Sequence, residues 1–379
     1  MSIDVTLIAK NFDGDRLRQA RQISMMTKQE VAYYLDVSPA LIGYYETGTS
    51  KPRPDLVAKL SSLLSVLPEF FLAGRPQAHL ETSQVFFRSL RSTSARQRAK
   101  AVAYTEQIWE LATMLEKYVR LPAVDIPDYT AENLSQGVAT ASPSEAARLL
   151  RTRWGLGNNP VSHLVTLLES KGVIITIVPD TLGDIASMDA FSTFEFERPI
   201  IVLSLERYND VFRHRFSAAH ELGHLVLHRE RNKSEAVMES EANQFAAEFL
   251  MPQVAVSIEM QSTVNFPKLS AMSHRWGASI DSLIYRCREL GFFSETSAKR
   301  AFIRLASLRS EGLYKSESVS GYIGEMPTML IRALDLIEEQ HPSSKNVSKD
   351  LAWYPNYLYE MLGKQDERPK LILMSPYQA

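Results

Sequence analysis

Residues 214–228 read HRFSAAHELGHLVLH. Phe216, Ala218, Ala219, Leu222, Leu225, Val226 and Leu227 mark an apolar helix. The stretch nevertheless holds four of the chain's eight histidines, and a glutamate. His220 and His224 are four residues apart, so on a helix they lie one above the other on the same face. Two imidazoles so placed can share one Zn²⁺, which takes nitrogen ligands in tetrahedral geometry. Glu221 is displaced around the helix from His220. From there it can take a proton from a water at the open coordination position. This is the H-E-x-x-H arrangement of metal-dependent proteases. A glutamate buried among alanines and leucines without partner or metal is costly, which counts against a purely structural reading.

The pair needs a third protein ligand. The next helix reads SEAVMESEANQFAAEFLMP from Ser234 to Pro252. Glu239 and Asn243 share one face, while Glu241 shares a face with Phe245 and Glu248. Ala242 and Ala246 allow a close approach to the histidine helix. Glu239 is favoured over Glu241 as ligand, with Asn243 accepting from a ligand histidine. His228 is the main rival, but its ring must reach past a full turn. A metzincin pattern would need glycine at Leu227 and histidine at Glu230, and the chain has neither. His228, His214, Arg213 and Tyr208 are candidates for oxyanion or substrate contacts.

Upstream, PVSHLVTLLESKG is helical and ends at Gly172. GVIITIVP, SMDAFSTFE and PIIVLSLE then read as strands. Helices, strands and a histidine helix in this order describe an α+β domain. The strand at Ile200–Leu203 is expected at a sheet edge, where it could pair with an extended substrate. No nucleotide-binding glycine signature follows any strand.

The first seventy residues read as short helices. Leu17, Ala20 and Ile23 carry one. Thr27 and Glu30 fit a capping box, followed by Val31, Ala32 and Leu35. Ser38 fits an N-cap with Pro39 at the first helical position. Leu56, Leu60, Leu63 and Leu64 mark a further helix. LRQAR, TKQEVAYYLDVSPALIGYYETG and KPRPDLVAKL together resemble the XRE class of lambda-repressor-like helix-turn-helix domains. The resemblance implies that the helix after Ser38 enters the major groove of DNA. Tyr44 could reach a base edge and Ala40 a thymine methyl. Lys28, Gln29, Lys51 and Arg53 could hold phosphates. The reading face departs from the family in lacking donors at Pro39, Ala40 and Gly43.

Between these regions, Arg88, Arg91, Arg96, Arg98 and Lys100 read as the solvated face of a helix. AVAYTEQIWELATMLEKYV follows, with Ile108, Leu111, Ala112 and Leu115 on one side and Trp109 and Met114 widening it. A proline-rich break precedes SEAARLLRTRWGL, capped by Ser142 or Ser144. Beyond the second metal helix, short helices surround Trp276, Leu283, Ile284 and Leu290. WGAS precedes a helical run at a spacing like a second helix-turn-helix, but packing beneath the site is simpler. Pro327 to Gln340 reads as another helix, and the aromatic tail is expected to pack on the body or line an interface.

Composition limits the rest. The chain has 379 residues, a net charge of −2, 45% hydrophobic and 23% charged residues. It is therefore no global polycation. A single cysteine, Cys287, excludes an internal disulfide framework and a multi-cysteine zinc site. Charges interrupt the N-terminus before any signal core, and LLSVLPEFFLA is too short to span a bilayer. A cytoplasmic protein without a membrane partner is expected.

RHRFSAAHELGHLVLH followed by ESEANQFAAEFLMP resembles the ImmA/IrrE family of zinc peptidases, whose N-terminal partner is often a repressor-like DNA-binding domain. The resemblance implies His220, His224 and Glu239 as zinc ligands and Glu221 as general base, in a gluzincin-like arrangement on two helices. It also implies regulatory cleavage of a protein such as a transcriptional repressor, in stress responses or mobile-element control. The expected layout is multidomain. An all-α helix-turn-helix domain spans 12–74 and a helical connector 75–141. An α+β gluzincin-like peptidase domain spans 142–310, and a mostly helical extension 311–379. DNA, a protein substrate and a homodimer are the expected partners. The alternative is a DNA-binding transcriptional regulator whose metal domain is sensory, structural or catalytically silent.

Overall fold

The β-branched runs Ile174–Ile177 (β2) and Ile200–Leu203 (β4) pair in parallel, residue for residue from Ile174 opposite Ile200. Ala190–Thr193 (β3) joins β4 antiparallel, and the two-residue strand Phe86–Phe87 (β1) adds to β3. The order across the sheet is β1-β3-β4-β2. The expected edge strand at Ile200–Leu203 is therefore an interior strand. Both of its ladders are taken, so it cannot accept a substrate backbone. The reason is β3, which reverses and covers the side a substrate would need. This is a computed structural model, and it describes residues 4–87, 94–129, 142–179, 182–186, 190–204, 209–230, 233–340 and 347–363.

Successive strand residues point to opposite faces, and here the two faces serve two cores. Ile174, Phe191, Ile200 and Val202 join one hydrophobic cluster. Ile175, Ala190, Ile201 and Leu203 join another. Each strand buried on both faces needs an unbroken apolar run, which is why these segments lack simple alternation. Two long helices cover the faces: Ala95–Glu116 (α6) on the first, and Val211–Leu227 (α10) on the second.

The first cluster also holds the N-terminal helices Val5–Lys10 (α1), Gly14–Ile23 (α2), Lys28–Leu35 (α3), Pro39–Glu46 (α4) and Pro54–Leu63 (α5). Thr27 caps α3 and Glu30 reaches back to the Thr27 amide at 2.6 Å, closing the box. Ser38 caps α4 with Pro39 next to it. Helix α1, too short to be periodic in sequence, buries Ile8 and Ala9 and packs on α5.

Helix α6 differs from the solvated face expected of it. Arg96 is exposed and pairs with Glu30 at 3.1 Å, but Lys100 is buried. Arg88 and Arg91 lie outside the described residues. From Lys100 to Leu115 nearly every side chain is enclosed, because α2 packs on one side and the sheet on another. Trp109 stacks on Phe196 at 5.5 Å. Glu106 and Glu110 are buried against Arg18, at 2.9 Å, and Arg16. The connector is thus a central strut rather than a spacer.

The second cluster is the core of the remaining domain. It takes in Pro143–Arg153 (α7), capped by Ser142, and Leu164–Ser170 (α8). The short turn Gly183–Ala186 (α9) lies on the α6 side of the sheet. Glu235–Leu250 (α11) packs along α10. Gln253–Glu259 (α12), Phe266–Trp276 (α13), Ile280–Glu289 (α14) and Glu295–Ser310 (α15) complete the layer beneath. Cys287 is buried within α14, and burial pushes its thiol up to about 11. The C-terminal extension then returns to the first core. Met329–Gln340 (α16), Val347–Asp350 (α17) and Pro355–Met361 (α18) bury Leu334, Val347 and Leu358 there. Residues 364–379, with the LILMSPYQA tail, lie outside the described residues.

Candidate metal centre

Asp210 caps α10 by accepting from the Arg213 amide at 3.0 Å, which fixes where the histidine face begins. The helix then runs against α11 at close range. A Cβ on Gly223 would lie 3.2 Å from the Ala242 Cα and 3.1 Å from the Phe245 ring. Only small residues at this crossing let the two helices share a site.

The approach brings His220, His224 and Glu239 together, each offering one ligand atom with all of them within 4.8 Å. The two Nε2 atoms are 3.1 Å apart. Glu239 places Oε2 3.4 Å from His220 Nε2 and Oε1 3.2 Å from His224 Nε2. Both histidines are enclosed, while Glu239 stays partly exposed. The site therefore has one wet side, at α11.

The outer ring atoms are also held. His220 Nδ1 meets Asn243 Oδ1 at 3.0 Å. An amide oxygen only accepts, so this nitrogen carries the proton and Nε2 keeps its lone pair. A longer chain sets His224. Glu241 faces His228 Nε2 at 2.9 Å, and His228 Nδ1 faces His224 Nδ1 at 3.0 Å. The carboxylate accepts a hydrogen bond from His228 Nε2–H, so Nδ1 of neutral His228 must accept from His224 Nδ1. His224 Nε2 is then left with its lone pair. Burial holds His228 at about 4, which keeps it neutral at ordinary pH. Two lone pairs and a carboxylate thus converge, a donor set suited to a cation.

Glu221 is enclosed beside this centre and accepts from Ser192 Oγ at 2.6 Å. Ser192 lies on β3, on the face that Ala190 turns toward α10. Sequence reading missed it, because only the β3 register reveals which residue of SMDAFSTFE meets the helix.

The remaining candidates divide. Glu241 is drawn to His228 and to Lys233, at 2.8 Å, rather than to the pair. His228 caps the C-terminal end of α10, one hydrogen bond behind His224. His214, a candidate for oxyanion or substrate contact, is instead turned to the chain at Glu325. It is buried and its Nε2 donates to the Glu325 carbonyl at 2.9 Å. Arg215, one residue on, pairs with the Glu325 carboxylate, so residues near 325 close over the start of α10. Arg213 lines an open cavity of about 790 Å³ that runs past Asn243, Ala247 and Tyr285. Tyr208 lies outside the described residues.

On the N-terminal domain, Lys28, Gln29, Ala40, Tyr44, Lys51 and Arg53 are all exposed. Lys28 reaches Glu46 at 3.1 Å, Arg53 reaches Asp55 at 3.3 Å, and Lys51 donates to the Lys10 carbonyl. Tyr33 and Tyr34 of α3, not singled out from sequence, are more exposed than Tyr44.

Comparison with known families agrees with both halves of this geometry. Residues 168–288 match the IrrE N-terminal-like domain, a peptidase family, and residues 17–71 match a helix-turn-helix family. The chain is a fusion of these two domains. It is a DNA-binding type of protein with a peptidase-like domain, and the IrrE-like match spans β2, β3, β4, α10, α11 and the helices up to α14. The comparison with curated proteins found no match. Among the described residues, no helix is long and apolar enough to cross a membrane.

Proposed function

We propose that the fusion is a regulatory zinc-dependent endopeptidase tethered to a DNA-binding module, and that it cleaves a protein such as a transcriptional repressor. The observation that carries this reading is the triangle of His220 Nε2, His224 Nε2 and Glu239, with edges of 3.1, 3.2 and 3.4 Å. Ligands about 2.0–2.1 Å from a tetrahedral zinc lie about 3.3 Å from one another. The donors present fit that ion, with one position left for water or substrate. When bound, Zn²⁺ supplies Lewis acidity to a water and a peptide carbonyl.

The chain's own residues do the rest. Glu221 takes the water proton on its carboxylate and delivers it to the leaving amine. Ser192 holds that carboxylate in place. Asn243 and His228 fix the two ring tautomers. Arg213, at the rim of the neighbouring cleft, is the remaining candidate for contact with the substrate. The helix-turn-helix domain docks α4 in the major groove, with Lys28, Gln29, Lys51 and Arg53 on phosphates and Ala40 and Tyr44 toward bases. A homodimer would place two such helices on paired half-sites.

One observation favours a second reading, in which the metal domain is structural or sensory and does not cleave. Glu221 is fully enclosed and already bonded to Ser192. Zinc-loaded protein incubated with β-casein separates the two. Hydrolysis that Glu221→Gln lowers by about 10²–10⁴-fold while zinc content stays unchanged supports general-base catalysis. Equal hydrolysis in both sinks it. Retained zinc without cleavage in either protein supports the silent domain. Selection from random DNA duplexes tests the other module, and Arg53→Ala should weaken all selected sequences alike and flatten the salt dependence.

A further inference from the structure

The N-terminal domain, α6 and the C-terminal extension meet around a cavity of about 280 Å³ that the metal centre does not use. Ile23 of α2, Val66 and Phe70 beyond α5, and Trp353 and Tyr357 near α18 form its apolar walls. Beside Ser24 and Ser65, Gln107 of α6 adds a side-chain amide to the lining. It is 2% exposed, and its Oε1 accepts from the Tyr357 hydroxyl at 2.6 Å. Its amide nitrogen donates to no described residue and is not sealed in protein, so it meets the cavity. The indole N–H of Trp353, in another wall, is enclosed and also lacks a partner. A ligand oxygen in the cavity would accept from the Gln107 amide directly.

We infer that this cavity binds a small neutral molecule with an apolar body and one hydrogen-bond acceptor, held by the Gln107 amide. The size is near the lower end for ligand pockets and suits roughly a dozen heavy atoms. Among the described residues no charged side chain lines the walls, so an ionic group would lose its hydration without compensation. The walls come from three segments far apart in sequence. A ligand here clasps the extension against α2, beside the DNA-binding helices, and so stabilises the docked arrangement of all three.

The test uses the full-length chain and two probes of closely similar shape, 2-acetylnaphthalene and 2-isopropenylnaphthalene, followed by calorimetry and saturation-transfer NMR. The ketone should bind saturably at one site per chain, and the hydrocarbon about five- to tenfold more weakly. Ser24 stands half-buried at the rim, so Ser24→Phe fills the cavity with little demand on the fold. It should abolish binding of both probes. Gln107→Glu keeps the acceptor for Tyr357 and removes the donors, so the preference for the ketone should vanish. Absence of saturable ketone binding, or binding unchanged in folded Ser24→Phe protein, overturns the site. Equal affinity for the two probes overturns the role of Gln107.

Discussion

Two of the places where this molecule buries ionisable groups are built in opposite ways. At the α2–α6 junction, Arg16 and Arg18 meet Glu110 and Glu106, with cation against anion. Burial raises Glu106, while Arg18 and the Leu80 amide pull it back. Charges of both signs are present, so the cluster is closed on itself. Between α10 and α11 the inner atoms are two imidazole lone pairs and a carboxylate, all electron-rich. Their outer atoms are held by Asn243 and by the His228–Glu241 chain. The first arrangement is complete as a joint. The second makes chemical sense as a seat for a cation. Burial alone does not mark a functional site; the sign of what converges there does.

The largest test of this contrast is at the joint. Glu110→Ala would leave the buried Arg16 without its anion, and should cost about 3–5 kcal/mol of stability in urea unfolding. A loss below about 1 kcal/mol would show that the joint is not the closed ion cluster described here. A second test uses the histidine that does not converge. Burial holds His214 at about 4, against 6.5 for an unperturbed imidazole. Between those values the unfolded chain binds more protons, so stability falls as the pH drops from about 6.5 to 4. The difference is worth roughly 3 kcal/mol across that window. His214→Gln can still donate to the Glu325 carbonyl and should flatten the slope by about one proton. An unchanged slope would remove His214 from the acid response.

These contrasts were only partly visible in sequence. Local signals were legible: the Thr27–Glu30 box, the Ser38–Pro39 start of α4, and the helical spacing of His220 and His224. The face shared by Glu239 and Asn243 was legible for the same reason, since 3.6 residues per turn fixes it. Ser192 was not, because its meeting with Glu221 depends on strand pairing across the sheet. Nor was the interior place of β4, which depends on β3 folding back beside it. The connector misled for a related reason. Lys100 reads as solvent-facing with the arginines of its run yet is buried, and Glu106 and Glu110 find their partners on α2, more than eighty residues away. The return of α16–α18 to the N-terminal core is likewise a long-range event without a local motif.

The smaller effects lie in the chain behind His224. His228→Phe keeps the bulk but removes the acceptor for His224 Nδ1, freeing the ring to take the other tautomer. Zinc retention should fall about 10–100-fold against a competing chelator. Nitrogen shifts of the His224 ring, recorded without metal, should report a mixed tautomer in place of a fixed one. Unchanged retention with unchanged shifts would show that α10 alone orients His224.

Glu241→Gln is the gentlest probe, and it separates the two glutamates. Glutamine can still accept from His228 Nε2 through its oxygen, so the tautomer chain survives. Only the charge and the bond to Lys233 are lost, and both are partly exposed. Retention should change by less than about threefold, since an exposed ion pair contributes little. Glu239→Gln replaces a carboxylate that faces both Nε2 atoms and should release zinc far more readily. If the two variants reversed this order, Glu241 would be the ligand and the α11 face assigned to the metal would be wrong.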